Sequence, residues 1–232
     1  MKVLLAGVAT VGLLAAGAQA DWIESGDAGD WVDSAQGTGA GALNTISGAT
    51  DGAGDWVDAY TIKVTDVAAF YATTNVNYDP AAISTWDTRL WLVDQAGNIV
   101  FANDDAPGPG LQSYISDSST YVANTGGVLF NNPGSIVAGE TYTLIISGFA
   151  NDPVDTGGVE MTNLNSDFDA LQGPNPASNG IYGGSWQDTG SSGEYTIALA
   201  GAMGVPAPGV LALLGLAGLA GTRRRRRSEE RR

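Results

Sequence analysis

Between Asp87 and Asp105 apolar and polar positions alternate with a period of two, which sets Leu90 and Leu92 on one face and Arg89, Trp91 and Val93 on the other. The turn residues Gln95-Ala96-Gly97-Asn98 follow, and Ile99-Val100-Phe101 starts a second run, so the stretch predicts a β-hairpin with Asp87, Asp104 and Asp105 at its open end. The same period recurs at Tyr60, Ile62 and Val64, within Ala69 to Val76, at Tyr142, Leu144 and Ile146 within Thr141 to Ser147, and at Tyr195, Ile197 and Leu199 within Glu194 to Ala200. Shorter strands are expected at Tyr121 to Ala123 and Val128 to Phe130. Pro107-Gly108-Pro109-Gly110 cannot continue a ladder and reads as a loop. Asn151 to Gly193 is poor in aliphatic residues and reads as long loops with one strand near Val159 to Thr162. No window inside this region has the periodicity of an amphipathic helix. Roughly eight short strands with Gly- and Asn-rich turns predict an all-β fold, an antiparallel β-sandwich of jelly-roll type, with a barrel as the other arrangement the pattern admits.

The two ends have a different character. Met1-Lys2, the apolar run Val3 to Gly17 and Ala18-Gln19-Ala20 have the three parts of a signal peptide helix over 1–20, with cleavage expected after Ala20. At the other end, 205–232 holds Val205-Pro206-Ala207-Pro208, an apolar helix from Val210 to Gly221 and the arginines Arg223, Arg224, Arg225, Arg226 and Arg227. The apolar stretch is short against the ~20 residues of a full span. Arginines at its far end favour the cytoplasmic side, so a transient anchor in the inner membrane is expected. The domain proper is 21–204.

Charge narrows the functional classes. Of the 25 acids and 10 bases, the central segment keeps all the acids except Glu229 and Glu230, but among the bases only Lys63 and Arg89. A surface so acidic repels phosphate backbones, which argues against nucleic acid as a partner. The chain has no Cys and no His. Disulfides, Ser-His-Asp or Cys-His catalysis and zinc sites built on His or Cys are therefore excluded. Oxygen donors remain for a metal, and they suit Ca²⁺.

Asp87, Asp104 and Asp105, with Asp94 as a neighbour, form the first candidate metal site; the competing reading is a set of turn-capping aspartates. Asp27, Asp30, Asp33, Asp55 and Asp58 form a weaker second group, read as solvated loop acids because they lack the EF-hand spacing. Some of these acids fall in the repeated pentapeptides Gly29 to Asp33 and Gly54 to Asp58, whose flanks do not match. Trp91 and Trp186, together with Trp86, Tyr114 and Tyr182, offer an aromatic platform for a sugar ring, with core packing as the alternative. Of the four glutamates of this segment, Glu24, Glu140, Glu160 and Glu194, three adjoin predicted turns or strand ends, and no acid sits in an apolar context, so the expectation is that the protein is not an enzyme.

Two resemblances add to this reading. The pieces Gly26 to Asp30, Ile46-Ser47-Gly48, Asp58 to Ile62, Asp87 to Leu92, Asn103-Asp104-Asp105, Ser113-Tyr114-Ile115 and Ala138 to Tyr142 together resemble the bacterial pre-peptidase C-terminal (PPC) domain. That resemblance implies a non-catalytic β-sandwich of exported proteins, some relatives of which bind Ca²⁺ or an extracellular polymer. The order Pro206 and Pro208, apolar helix and arginine cluster resembles the PEP-CTERM sorting signal of Gram-negative bacteria, with Ala207 where the family has Glu. It implies an exosortase-type processing enzyme as a partner and delivery to the cell surface or extracellular matrix. The expected function is structural or adhesive, with an extracellular polysaccharide or matrix protein as partner; a carbohydrate-binding module is the alternative.

Overall fold

The computed structural model describes residues 20–207. The expected signal peptide helix, the sorting helix, Pro208 and Arg223 to Arg225 lie outside the described residues. The strands are β1 (Ala20–Ile23), β2 (Gln36–Gly37), β3 (Gly41–Thr50), β4 (Val57–Val64), β5 (Tyr71–Thr73), β6 (Ile83–Ser84), β7 (Thr88–Asp94), β8 (Ile99–Asn103) and β9 (Tyr114–Ser116). After the helix α1 (Ser118–Thr125) come β10 (Val128–Phe130), β11 (Thr141–Gly148), β12 (Pro153–Asp155), β13 (Ala170–Gln172), β14 (Tyr182–Trp186), β15 (Gly193–Ala200) and β16 (Ala202–Gly204). The fold is all-β, as the alternation predicts.

Most strands belong to one continuous, mainly antiparallel sheet in the order β10-β13-β8-β7-β11-β4-β16-β3-β15-β5-β9. The ten-residue β3 links its halves: Gly41 and Ala42 pair with β16, whereas Thr45 to Thr50 pair with β15. The hydrogen-bonded ladder thus passes through β3 instead of ending at two separate sheets. Inner-face residues of both halves share one core. Tyr60, Ile62, Leu90, Leu92, Leu144 and Ile146 come from one half, and Ile46, Ala72, Ile115, Tyr195, Ile197 and Leu199 from the other. Register explains why these positions meet: Leu92 lies opposite Leu144, which lies opposite Tyr60.

The outer face of the central strands is buried too. Trp91, Ile145 and Ala59 stand in register across β7, β11 and β4, and with Val93 and Ala102 they are covered by Trp31, Met161, Leu164 and Trp186. Much of that cover comes from the segment expected to be long loops. It instead forms the two-stranded pair β12–β14, a 3₁₀ turn at Leu164–Ser166 and β13, which joins the main sheet beside β10 and β8. The strand expected at Val159 to Thr162 is reduced to a single bridge between Val154 and Glu160.

Other expectations also change. Tyr121 to Ala123 is helical, because Asp117 caps the helix by accepting from the Ser119 amide and Gly126 closes it in the left-handed conformation at φ 69°. The strand expected over Ala69 to Val76 shrinks to β5. Strands β1 to β3 arise in a Gly/Ala/Asp-rich stretch whose alternation is masked by small residues. At the far end Val205 still donates to Thr38 Oγ1, and a Cβ added to Gly37 would lie 2.5 Å from the Ala207 nitrogen, so the chain stays packed on β2 up to the Pro-rich motif.

Candidate metal centre

Pairing of β7 with β8 sets Leu90 opposite Asn103, which brings Asp87, just before β7, beside Asp104 and Asp105, just after β8. One carboxylate oxygen from each lies within 4.8 Å of the others. Neighbouring backbone fixes the two outer members: the Phe149 amide donates to the Asp87 carbonyl and the Asp105 amide donates to the Phe168 carbonyl, each at 3.1 Å. Asp104 is fully buried between them.

Arg89 closes the inner side. It is wholly buried and donates to Asp104 Oδ2 at 2.8 Å, to Asp152 Oδ2 at 2.6 Å and to Asn165 Oδ1 at 2.8 Å, with its guanidinium 4.8 Å from the Phe149 ring centroid. Its partners Asp152 and Asn165 both come from the segment after β11. Burial works against its charge, yet the two carboxylates hold it protonated above its ordinary range.

One guanidinium is too little for this many acids. Asp87 Oδ1, Asp104 Oδ1 and Asp105 Oδ1 are all buried and accept no hydrogen bond. Burial, then the charges of Asp104 and Asp105, drives the Asp87 carboxyl up to about 7. Burial and then Asp104 lift Asp105 to about 6. Burial raises Asp104 as well, against the pull of Arg89. Buried acceptors without donors are uncommon and costly, and like charges this close oppose one another's ionisation. Such a donor set could hold a hard cation that takes six to eight oxygens in flexible geometry, as Ca²⁺ does.

Asp94 does not belong to this group. It ends β7 at the far end of the strand, seven residues and so ~23 Å from Asp87 at ~3.3 Å per residue. There its carboxylate accepts from the Ala96 and Asn98 amides and the Asn98 side chain, all at 2.9 Å. It is a turn aspartate. The sequence reading also missed Arg89 and Asp152; a lone arginine alternating with leucines in an acidic segment was the available signal.

Trp91 and Trp186 form no exposed platform. Trp91 is 0% and Trp186 5% exposed, and their rings meet edge to face with centroids 5.1 Å apart inside the outer core. Their indole nitrogens are directed inward, Trp91 towards Thr162 Oγ1 at 3.5 Å and Trp186 to the Asp30 carbonyl at 3.2 Å. Full burial of such a ring is worth about 4–6 kcal/mol of transfer free energy, and the segment after β11 supplies the cover. Trp86 is half-buried, edge-on to Tyr195 with its indole N–H donating to the Glu194 carbonyl, and Tyr114 is buried.

No family model matches this chain, and neither the curated proteins nor the solved structures include a match to it. Among the described residues no helix is long and apolar enough to cross a membrane.

Proposed function

We propose that this is a non-catalytic, Ca²⁺-stabilised protein of the bacterial cell surface or extracellular matrix, exported by its signal peptide and sorted by an exosortase-type enzyme. In this reading the halves of the curled sheet pack as the layers of a jelly-roll-like, PPC-related β-sandwich. The role is structural or adhesive, and the partner is an extracellular polysaccharide or matrix protein.

The observation that carries the reading is the convergence of Asp87, Asp104 and Asp105, with one carboxylate oxygen of each within 4.8 Å of the others and with a buried Oδ1 on each that accepts no hydrogen bond. A divalent cation there would join the end of the β7–β8 hairpin and, through Arg89, the segment that covers the outer core. Calcium in the medium would then be needed for the rigid form of the domain. At a hundredfold excess over its dissociation constant, one bound ion adds ~2.7 kcal/mol. For a chain of this size that is a rise in melting temperature on the order of 5–10 °C. The test is thermal melting of the full chain in Ca²⁺ and in chelator, beside co-sedimentation with the producing cell's own polysaccharide under both conditions. A higher melting temperature and sedimentation in Ca²⁺ are expected. Identical melting in both counts against the calcium reading, and sedimentation in neither counts against the polysaccharide.

A glycan-binding module is the second reading, and its place moves. Tyr182 stacks on Trp31 with centroids 4.1 Å apart, beside a groove of about 560 Å³ that also holds Asp33, Asn98 and Ile181. A partly exposed ring backed by a second ring is the kind of face on which a sugar packs.

A further inference from the structure

A second group of acids, far from the first in sequence, comes together where β1, β3 and β4 meet. One carboxylate oxygen each of Asp27, in the loop after β1, Asp55, in the β3–β4 connection, and Asp58, in β4, lie within 4.8 Å of one another. Asp58 points from the strand into the protein and is 0% exposed. Its Oδ2 accepts from the Tyr195 hydroxyl at 2.6 Å, and that oxygen is in turn 2.6 Å from the Tyr60 hydroxyl. Its Oδ1 has no donor, and neither has the buried Oδ1 of Asp55.

Glu24 approaches from the other side. Its Oε2 accepts from the Ala49 amide at 3.0 Å, and a Cβ on Gly48 would stand 2.5 Å from both that oxygen and the Tyr195 hydroxyl. The glycine thus leaves room for the two side chains to meet over β3. Asp27 Oδ1 accepts from the Gly29 amide at 2.7 Å, which directs this exposed carboxylate back over the group.

What separates this group from the first is the lack of a positive charge. The ion pairs among the described residues are those of Arg89 with Asp104 and Asp152. Among the described residues the hydroxyl of Tyr195 donates to Asp58, and the Glu24 carboxylate stands against it as a further acid. Burial drives Asp58 up to about 8, with the Tyr195 hydrogen bond offsetting part of it, and lifts Asp55 to about 6. A buried acid aimed at two others, with an oxygen that nothing donates to, is an incomplete arrangement unless something positive completes it.

We propose that Asp27, Asp55 and Asp58, with Glu24, form a second cation site, taking a hard divalent ion of the Ca²⁺ type and fastening the N-terminal strand to the sheet. All the donors are oxygens, which favours Ca²⁺ over softer transition metals. The ion bridges residues 24–27 to residues 55–58. β1 is a short strand paired in parallel with β3. Filling the site therefore decides how firmly this strand is held, independently of the hairpin site.

The test is calorimetric titration of the full chain with CaCl₂, with hydrogen exchange of β1 followed in parallel. Two variants separate the sites: Asp27→Asn with Asp55→Asn, and Asp87→Asn with Asp105→Asn. The wild type is expected to bind two ions, and each double variant one. Ca²⁺ is expected to slow exchange at Asp21 to Ile23 roughly tenfold in the wild type and in the hairpin variant, but not in D27N/D55N. Because Asp27 is exposed, the single D27N variant keeps its fold and should weaken the same binding event. One ion in the wild type that disappears in D87N/D105N refutes the second site and leaves the first. One ion that disappears in D27N/D55N does the reverse. No Ca²⁺ binding at all refutes both.

Discussion

Replacing Arg89 by Met keeps the unbranched stem of the side chain and removes the guanidinium whose charge two buried acids share. Asp104 and Asp152 are 1% and 0% exposed at their side chains, and each uses Oδ2 to accept from the guanidinium while its Oδ1 accepts from nothing. After the substitution neither has a charged donor. Asp104 is left without a partner, and Asp152 keeps a long contact of 3.4 Å from Asn165 and its own charge. Breaking a buried pair by removing one member costs about 3–5 kcal/mol. At ~2–4 °C per kcal/mol for a chain of this size, the melting temperature should fall on the order of 10 °C.

Urea unfolding in chelator, followed by tryptophan fluorescence, measures the loss without a cation to compensate it. Asp152→Asn alone should cost less, because Arg89 keeps Asp104. Adding Asp152→Asn to the Arg89→Met chain should recover part of the loss, because one of the stranded charges disappears. A loss under ~1 kcal/mol for R89M, the range of exposed pairs, would refute the assignment. So would a double variant as unstable as the sum of the singles, since additivity means the two residues do not interact.

Trp91→Ala should cost about 3–5 kcal/mol, the range for truncating a buried aromatic ring, and leave any polysaccharide sedimentation of the folded protein unchanged. Normal stability with lost binding would restore the platform. Asp155 accepts from the Val159, Asn179 and Gly157 amides and the Ser178 hydroxyl, which hold its carboxyl down to about 2, below the ordinary 3.8. Because the folded value is the lower one, this stabilisation is complete above the ordinary value and fades as the pH falls towards 2. An acid titration of tryptophan fluorescence should show the outer core loosening in that window. Asp155→Asn should flatten the transition, and an unchanged profile would show that Asp155 does not hold the segment.

The sequence determined those parts of the protein that depend on local periodicity. Alternation located β4, β7, β8, β11 and β15 and their inner-face residues, because one pleated strand with one buried side suffices to write that pattern. It also gave the open end of the β7–β8 hairpin, and with it Asp87, Asp104 and Asp105, since register across a short turn is itself local. Composition excluded every chemistry that needs Cys or His.

Only the tertiary structure decided the outer face. Trp91 alternates with leucines whether it faces solvent or a second core, and what buries it arrives from Met161, Leu164 and Trp186, some 70 to 95 positions later. The cover is built from short strands and turns without a strong period, so it read as loop. The same reason hid Asp152 as the partner of Arg89, and the meeting of Asp27 and Glu24 with Asp58. Contacts between elements distant along the chain leave no periodic trace in either one, and in this protein those contacts set which acids are buried together and which tryptophans are out of reach.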